Sequence, residues 1–216
     1  MPSARTEEYL EAIFKLQEET NEPVSITRLA EHMGLSAASA SEMVKRLSQA
    51  GTVDYSPSRE ISLTPGGEKQ ASQVVRRHRL SERLLTDVLG FSWENVHDEA
   101  CKLEHAISPE VEERLAAKLG NPETCPHGHP IPKPDGSCDK TATRRLSEVR
   151  SDETCVVVMV KEDDPELLQY LGQLGIRPGA DLLIVETAPF GGVTRIKIGD
   201  KEEVVGRELA DNVLVT

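Results

Sequence analysis

The sequence contains no long apolar stretch, and only 3% of its 216 residues are aromatic. A membrane-spanning helix needs about 20 consecutive apolar residues, so no membrane partner is expected. The first residues also lack the basic start and apolar stretch of a secretory signal peptide, which predicts a cytoplasmic protein. The four cysteines are therefore expected to be reduced thiols, able to bind a metal, instead of disulfides.

The motifs of several common enzyme classes are also absent. The sequence has no H-E-x-x-H pair, no phosphate-binding loop and no nucleophile elbow around a serine. These motifs hold a catalytic metal, a nucleotide phosphate and an activated nucleophile, respectively. We therefore expect that the protein is not an enzyme.

An excess of positive charge is missing as well, since 25 Lys+Arg face 37 Asp+Glu and the formal net charge is −12. Even residues 1–72 carry 7 basic against 11 acidic side chains. Binding of nucleic acid by overall charge is excluded by this balance. A DNA-binding protein of this composition needs a local basic surface, or a cation that neutralises its carboxylates.

The N-terminal third nevertheless has the pattern of a DNA-reading domain. Apolar spacing predicts a first helix over residues 6–19. Ser25 or Thr27 can cap a short second helix, which Gly34 would end. Ser36 can cap a third helix, and the alternating residues after it predict a two-stranded wing. This order is typical of a winged helix-turn-helix.

The remaining sequence predicts two further domains. Residues 73–140 contain helical segments ended by Gly90 and Gly120, followed by a loop rich in proline and glycine. Residues 141–216 contain five short β runs and one short helix at 165–174, which predicts a small barrel. The expected fold class is mainly α with α+β parts, with domains at 1–72, 73–140 and 141–216.

Metal-binding side chains share one face of a helix predicted from residue 93 onwards. They are His97, Cys101, Glu104 and His105. Their spacing of four, seven and eight residues from the first places them on one side of a helix. Two other helices add the pairs His78 with Glu82 and Glu8 with Glu11. Singly, such residues are more often core thiols or solvated polar groups, but donors on three helices predict a metal site.

The stretches EEYLEAIFKL, HDEACKLEH and CPHGHPIP, together with the helix-turn-helix, resemble the diphtheria-toxin-repressor family of iron- and manganese-dependent regulators. The resemblance covers essentially the whole chain. It implies a winged helix-turn-helix, a helical dimerisation and metal-binding domain, and a C-terminal SH3-like domain of the ferrous-iron-transport accessory type. It also implies a homodimer that represses metal-uptake genes when a divalent transition metal binds. A metalloenzyme and a metal-trafficking protein are the alternatives from other classes.

The resemblance implies two metal sites in each chain. The ligands of the first would be Glu8, Cys101, Glu104 and His105, with Glu11 as a further candidate. The ligands of the second would be His78, Glu82 and His97, completed by Glu162 or Asp163. A variant second site of some manganese-type relatives implies Cys125 and His127 beside Glu82, with an ordinary proline-rich turn as the alternative. A separate zinc site with Cys138 lacks the usual paired cysteine spacing.

The identity of the metal depends on two positions where this chain combines features of both branches of the family. Iron-type members have Met at the position of Glu8, and manganese-type members have Glu at the position of Cys101. A thiolate favours Fe(II), Co(II) or Zn(II), whereas carboxylates suit Mn(II). We expect Fe(II), with Mn(II) as the alternative, and expect Co(II), Ni(II) or Zn(II) to substitute in vitro.

The expected partner is double-stranded operator DNA, read by the third helix. Small side chains would let this helix sit deep in the major groove, and basic ones would reach phosphates. The predicted contacts are Ser36, Ala38, Ser39, Ser41, Glu42, Lys45 and Arg46, with Arg28 and Arg59 as further phosphate contacts. The alternative is a tightly capped helix with a solvated basic face. Glu42 replaces a base-contacting Gln of iron-type relatives, so the operator sequence stays open, as does binding by one dimer or two.

Overall fold

The computed structural model describes residues 3–20, 22–56, 60–138, 141–161, 164–188 and 192–216. These residues form two compact units. The N-terminal unit comprises the described residues up to His78, together with Glu104–Ile107 and Pro132–Cys138. The C-terminal unit comprises Arg79–Leu103, Ser108–Ile131 and the described residues beyond Cys138. Arg59, Glu162 and Asp163 lie outside the described residues.

The N-terminal unit contains the predicted winged helix-turn-helix, which is confirmed. Its elements are α1 (Ala4–Thr20), β1 (Val24–Ser25), α2 (Ile26–His32), α3 (Ala37–Gln49), β2 (Val53–Tyr55), β3 (Glu60–Leu63) and most of α4 (Pro65–Arg83). The three strands form an antiparallel sheet in the order β1-β3-β2. Ser25 and Ser36 cap α2 and α3, because each hydroxyl accepts a hydrogen bond from a backbone N–H three residues later.

The core of the N-terminal unit joins α1 to the two helices of the helix-turn-helix. Tyr9 and Ile13 of α1 are buried in one cluster with Leu29 of α2 and Val44 of α3. Burial of such side chains contributes roughly 1.5–3 kcal/mol each. A displacement of α1 would therefore disturb the recognition helix through packed side chains.

The helices of the C-terminal unit differ in their bounds from the sequence prediction. A π-helical turn at Leu84–Val88 follows α4, and α5 (His97–Glu104) and α6 (Pro109–Lys118) come next. The helix expected from residue 93 begins only at His97, because Trp93–Asn95 forms a separate 3₁₀ turn. The indole of Trp93 is buried among β-strand residues that come later in the chain, which takes this residue out of the helix.

The rest of the C-terminal unit is a small β-domain, which confirms the predicted fold class. Its elements are β4 (Arg144–Arg145), β5 (Thr154–Val160), α7 (Pro165–Leu174), β6 (Asp181–Thr187), β7 (Thr194–Ile198), β8 (Lys201–Val205), α8 (Arg207–Asp211) and β9 (Val213–Val215). The six strands follow the order β4-β9-β5-β6-β7-β8. Five strands were expected; β4 has two residues, too few for an alternating pattern to be visible.

No helix among the described residues has the length and apolar character needed to cross a membrane.

Candidate metal centres and DNA-binding face

Three buried side chains of the N-terminal unit form what we call the Glu104 cluster: Glu11 of α1, His78 of α4 and Glu104 of α5. Nδ1 of His78 lies 2.6 Å from Oε2 of Glu104 and 3.6 Å from Oε1 of Glu11. Their exposed fractions are 6%, 0% and 1%. One ligand atom from each residue lies within 4.8 Å of the others. Two carboxylates and an imidazole suit Mn(II) or Fe(II), so the residues fit the predicted ion.

The two carboxyl groups of this cluster have pKa values displaced in opposite directions. Burial raises the pKa of Glu11, but Lys15 and His78 together outweigh it and lower that pKa to about 2. Burial also raises the pKa of Glu104, and with the nearby charge of Glu11 it outweighs the hydrogen bond from His78, bringing that pKa to about 7. Two buried carboxylates ionise together more readily when a cation lies between them.

His105 extends the Glu104 cluster towards the N-terminus of α1. Its Nε2 lies 3.2 Å from Oε1 of Glu104 and 3.9 Å from Oε1 of Glu8. Its Nδ1 lies 2.7 Å from Oε2 of Glu7, whose other oxygen accepts a hydrogen bond of 3.1 Å from Arg77. A neutral His105 that donates through Nδ1 to Glu7 presents the lone pair of Nε2 towards Glu104 and Glu8.

Sequence reasoning did not identify Glu7. Neighbouring residues on a helix point in different directions, and the helical spacing singled out Glu8, three residues before Glu11. The contact with His105 joins residues 98 positions apart in the chain, and no local spacing signals it. A carboxylate that holds the far nitrogen of a ligand histidine is nevertheless a recurrent partner in metal sites.

Three buried side chains of the C-terminal unit form what we call the His127 cluster: Glu82, Cys125 and His127. Nδ1 of His127 lies 3.3 Å from Oε1 of Glu82 and 4.0 Å from Sγ of Cys125. One ligand atom of each lies within 4.8 Å of the others. His97 lies at the edge of this cluster, with Nδ1 4.0 Å from the same oxygen of Glu82. A carboxylate, a thiolate and an imidazole suit Zn(II), Co(II) or Fe(II).

The loop that carries Cys125 and His127 is a tight turn fixed by main-chain contacts. The N–H of Cys125 donates to the carbonyl of His129 at 2.9 Å. Gly128, with a φ of +93°, lies so close to β5 that a Cβ there would be 2.0 Å from the carbonyl oxygen of Val158. Only glycine fits this conformation and this space. The turn is thus seated directly on a strand of the β-domain.

Two cysteines predicted or considered as ligands lie outside these clusters as we define them. Cys101 lies on α5, where its Sγ is 3.8 Å from Nε2 of His97, one turn earlier. Cys138 belongs to the N-terminal unit, whereas Cys125 and His127 belong to the C-terminal unit.

The predicted DNA-contacting residues on α3 form an accessible face. All of them are exposed except the half-buried Ser41. Ala38, Ser41 and Lys45 line one groove with Tyr55 and Ser56 from the wing. Glu42 forms an ion pair of 2.5 Å with Arg46, and both side chains are 68% exposed. Arg28 is half-buried and pairs with Glu19. The recognition helix therefore carries an acidic group already neutralised by a neighbouring arginine.

A winged helix-turn-helix joined to buried metal-ligand clusters defines the class of metal-dependent DNA-binding regulators. Three family models match the chain: "Iron dependent repressor, N-terminal DNA binding domain" over residues 1–61, "Iron dependent repressor, metal binding and dimerisation domain" over 64–133, and "FeoA domain" over 144–216. The chain belongs to the iron-dependent repressor family. This family consists of transcriptional repressors and not of enzymes, which confirms the expectation from the missing motifs.

Curated relatives and solved structures agree with this assignment. The iron-dependent repressor IdeR of Mycobacterium leprae (strain TN) is 38% identical over 97% of this chain and 96% of its own length. The diphtheria toxin repressor of Corynebacterium diphtheriae is 43% identical over 59% of this chain and 56% of its own. A manganese-dependent transcriptional repressor in complex with manganese is 36% identical, with a TM-score of 0.92 over 98% of this chain and 99% of that chain. ScaR with bound Zn²⁺ is 27% identical, with a TM-score of 0.82, and the match covers 100% of this chain and 99% of that chain.

Proposed function

We propose that Fe(II), with Mn(II) as the alternative, activates this repressor at operators of metal-uptake genes in the cytoplasm. The observation that supports the proposal best is the Glu104 cluster, where two buried carboxylates and an imidazole surround one point. Its members lie in the same compact unit as the winged helix-turn-helix. The thiols of Cys101 and Cys125 favour Fe(II) over Mn(II), because thiolate is the softer ligand.

The first metal would be held by the Glu104 cluster and its neighbours. Its proposed ligands are Glu8, Glu11, His78, Glu104 and His105. Cys101 precedes Glu104 by three residues on α5, and its thiolate is a further proposed ligand. The 2.6 Å contact between His78 and Glu104 supports the placement of His78 in this group.

The second metal would be held by the His127 cluster, with His97 as a further ligand. The distances from Nδ1 of His127 to Glu82, 3.3 Å, and to Cys125, 4.0 Å, support this set. Glu162 and Asp163, the other proposed ligands of this ion, lie outside the described residues. The carboxylate and the imidazoles of this set would suit most divalent first-row metals, and the thiolate of Cys125 would favour the softer ones, Fe(II), Co(II) or Zn(II).

In the proposed switch, a bound metal supplies positive charge between carboxylates that otherwise repel. Glu8 and Glu11 lie on α1, whose buried residues pack against the helix-turn-helix. Ligation would therefore hold α1, and with it α3, in one arrangement. Without metal, that arrangement would be a minor population. In a homodimer, the two recognition helices would then fit half-sites about one helical turn apart.

The test is DNA binding as a function of metal, measured with DNA from upstream of metal-uptake genes. Anaerobic Fe(II) and Mn(II) titrations are compared, each followed by a chelator. We expect Glu104→Gln to lose at least about tenfold of the metal-dependent affinity, because one ligand charge is removed. Glu110→Gln, at an exposed position of α6, is the matched control and should behave like the wild type. Unchanged metal dependence in Glu104→Gln would refute the proposed switch.

A further inference from the structure

The ring of His127 is held by a residue that offers no ligand atom of its own to a metal. Nε2 of His127 lies 2.8 Å from the carbonyl oxygen of Trp93, so the imidazole donates there through Nε2–H. The lone pair is then on Nδ1, the nitrogen nearest Glu82 and Cys125. The indole of Trp93 also stacks on the imidazole, with ring centroids 5.6 Å apart and an interplanar angle of 29°. Trp93 thus sets both the tautomer and the plane of the ring.

Trp93 is itself a core residue of the β-domain, although it precedes α5 in the chain. Its side chain is 5% exposed and belongs to the cluster that contains Leu168 and Leu171 of α7. The backbone of β5 holds the other side of the loop, since the N–H of Val160 donates to the carbonyl of His127 at 3.0 Å. The position of His127 therefore depends on the packing of the β-domain.

The guanidinium of Arg177 lies over the same indole ring, with its central carbon 4.5 Å from the ring centroid. Such a cation over a tryptophan is attracted by the negative face of the ring. Gly172 of α7 gives both groups the space they need: a Cβ there would lie 3.0 Å from a guanidinium nitrogen of Arg177 and 3.2 Å from Nε1 of Trp93. A glycine inside a helix costs stability, and here it permits this close approach.

We propose that Trp93 and Arg177 are positioning residues that join the β-domain to the His127 cluster and thereby tune metal binding there. The inference rests on the proposed second metal site. The β-domain contributes to that site by fixing the ring of His127, whether or not it also supplies a ligand. Partners of this kind, which orient a ligand histidine, typically change metal affinity 10- to 100-fold when removed, by rough estimate.

The proposal is tested on the full-length protein with Co(II) under anaerobic conditions. The part of the cobalt–thiolate absorption that is lost in Cys125→Ser measures Co(II) bound at the His127 cluster. Trp93 is the single tryptophan of the chain, so tryptophan fluorescence also measures Co(II) binding at the His127 cluster. Trp93→Ala keeps the main-chain carbonyl that accepts from Nε2 of His127 but removes the stacked ring, and Arg177→Ala removes the cation over that ring. Because the plane of the imidazole is then less well fixed, we expect each variant to weaken Co(II) binding at this cluster by about tenfold, the lower end of the range for partners that orient a ligand histidine. Affinity at the Glu104 cluster should stay as in the wild type.

Conservative and distant variants separate positioning from general stability. Arg177→Lys keeps a cation and Trp93→Phe keeps a ring, and both should restore most of the affinity. Arg195→Ala removes a half-exposed arginine elsewhere in the β-domain and should have no effect. Arg177 is exposed, so its variant is expected to fold, which circular dichroism checks.

Two outcomes would overturn the inference while leaving the second metal site intact: wild-type Co(II) affinity in both alanine variants, or Trp93 emission that does not respond when the cluster fills. A different outcome tests the underlying site. If wild type and Cys125→Ser bind Co(II) identically, the His127 cluster is not a metal site, and the proposed second site fails together with this inference.

Discussion

At the scale of single residues, Glu104 makes the stability of the metal-free protein depend on pH. Its folded-state pKa of about 7 lies above the ordinary value of 4.5, so folding favours its protonated form. That contribution to stability is fully present below the ordinary pKa and is lost as the pH rises through about 7. Glu11, with a pKa of about 2, behaves in the opposite way and loses its contribution only as the pH falls below 4.5.

We therefore predict that the free energy of unfolding of the metal-free protein falls between about pH 5 and about pH 8. Glu104→Gln mimics the protonated carboxyl and should remove much of that fall. Urea unfolding across this range measures the effect, and Glu110→Gln, on the surface, should retain the wild-type slope. If the free energy of unfolding of Glu104→Gln and of the wild type depends on pH in the same way, Glu104 is not the source of the fall.

Glu7 supports a second prediction at this scale. Its carboxylate holds Nδ1 of His105 at 2.7 Å and is buried beside Arg77. Glu7→Gln should weaken metal binding at the Glu104 cluster by about tenfold, because a neutral amide orients and polarises the imidazole less well. Competition with a chromogenic chelator measures the affinity. Glu99→Gln on α5, where the half-exposed carboxylate pairs with Lys102, is the control. Equal affinities in both variants would show that Glu7 has no such role.

At the scale of elements, the turn that carries Cys125 and His127 is limited by backbone geometry. Gly128 and Gly120 both have positive φ, of +93° and +80°. A Cβ at Gly128 would meet the carbonyl oxygen of Val158 at 2.0 Å, whereas one at Gly120 would meet nothing within 4 Å. The two positions therefore differ mainly in the space available.

We predict that Gly128→Ala destabilises the protein by clearly more than Gly120→Ala. Gly120→Ala is the control, and it should lose only the about 1–2 kcal/mol that a side chain costs in this left-handed backbone conformation. Gly128→Ala adds a displacement of the loop from β5 and should also lose Co(II) binding at the His127 cluster. Thermal unfolding and Co(II) absorption measure the two effects. Similar losses of stability in the two variants would mean that the loop moves away from β5 at little cost.

At the scale of the whole molecule, the two ligand clusters lie in different compact units. The chain should therefore bind two divalent ions that can be removed separately. We expect two Co(II) per chain in the wild type, one in Cys125→Ser and one in Glu104→Gln. Equilibrium dialysis followed by elemental analysis gives the count. One ion per wild-type chain, or two in Cys125→Ser, would contradict this division.

The charge of the molecule explains why a metal suits this regulator. With a net charge of −12, the protein repels DNA overall, so the proposed contacts would rely on a small basic face. Arg46 on that face is already paired with Glu42, and Arg28 with Glu19. Contacts from a well-placed α3 would therefore have to outweigh this repulsion, and the proposed metal ligation at α1 would raise the population in which α3 is so placed.

The sequence alone was sufficient for the features that depend on local spacing. The helix cap at Ser36, the order of domains and the types of candidate ligand on α5 follow from periodicity and from side-chain chemistry. For the second helix the sequence left Ser25 and Thr27 open, and in the structure Ser25 is the cap. Each of these features depends on residues a few positions apart, so it can be recognised from the sequence. The start of α5 at His97 was not predictable, because Trp93 leaves the helix for a core formed by residues far along the chain.

The tertiary structure alone decided which candidate ligands meet. His78 was expected beside Glu82, one turn later on α4, but its shortest ion-pair contact is with Glu104, 26 residues away. Glu82 instead lies with His127 of the CPHGHP loop, and Glu7 and Trp93 hold the two histidines. Helical spacing establishes only that two side chains point the same way. Which partner each one meets depends on how distant elements pack, and that packing is a property of the folded chain.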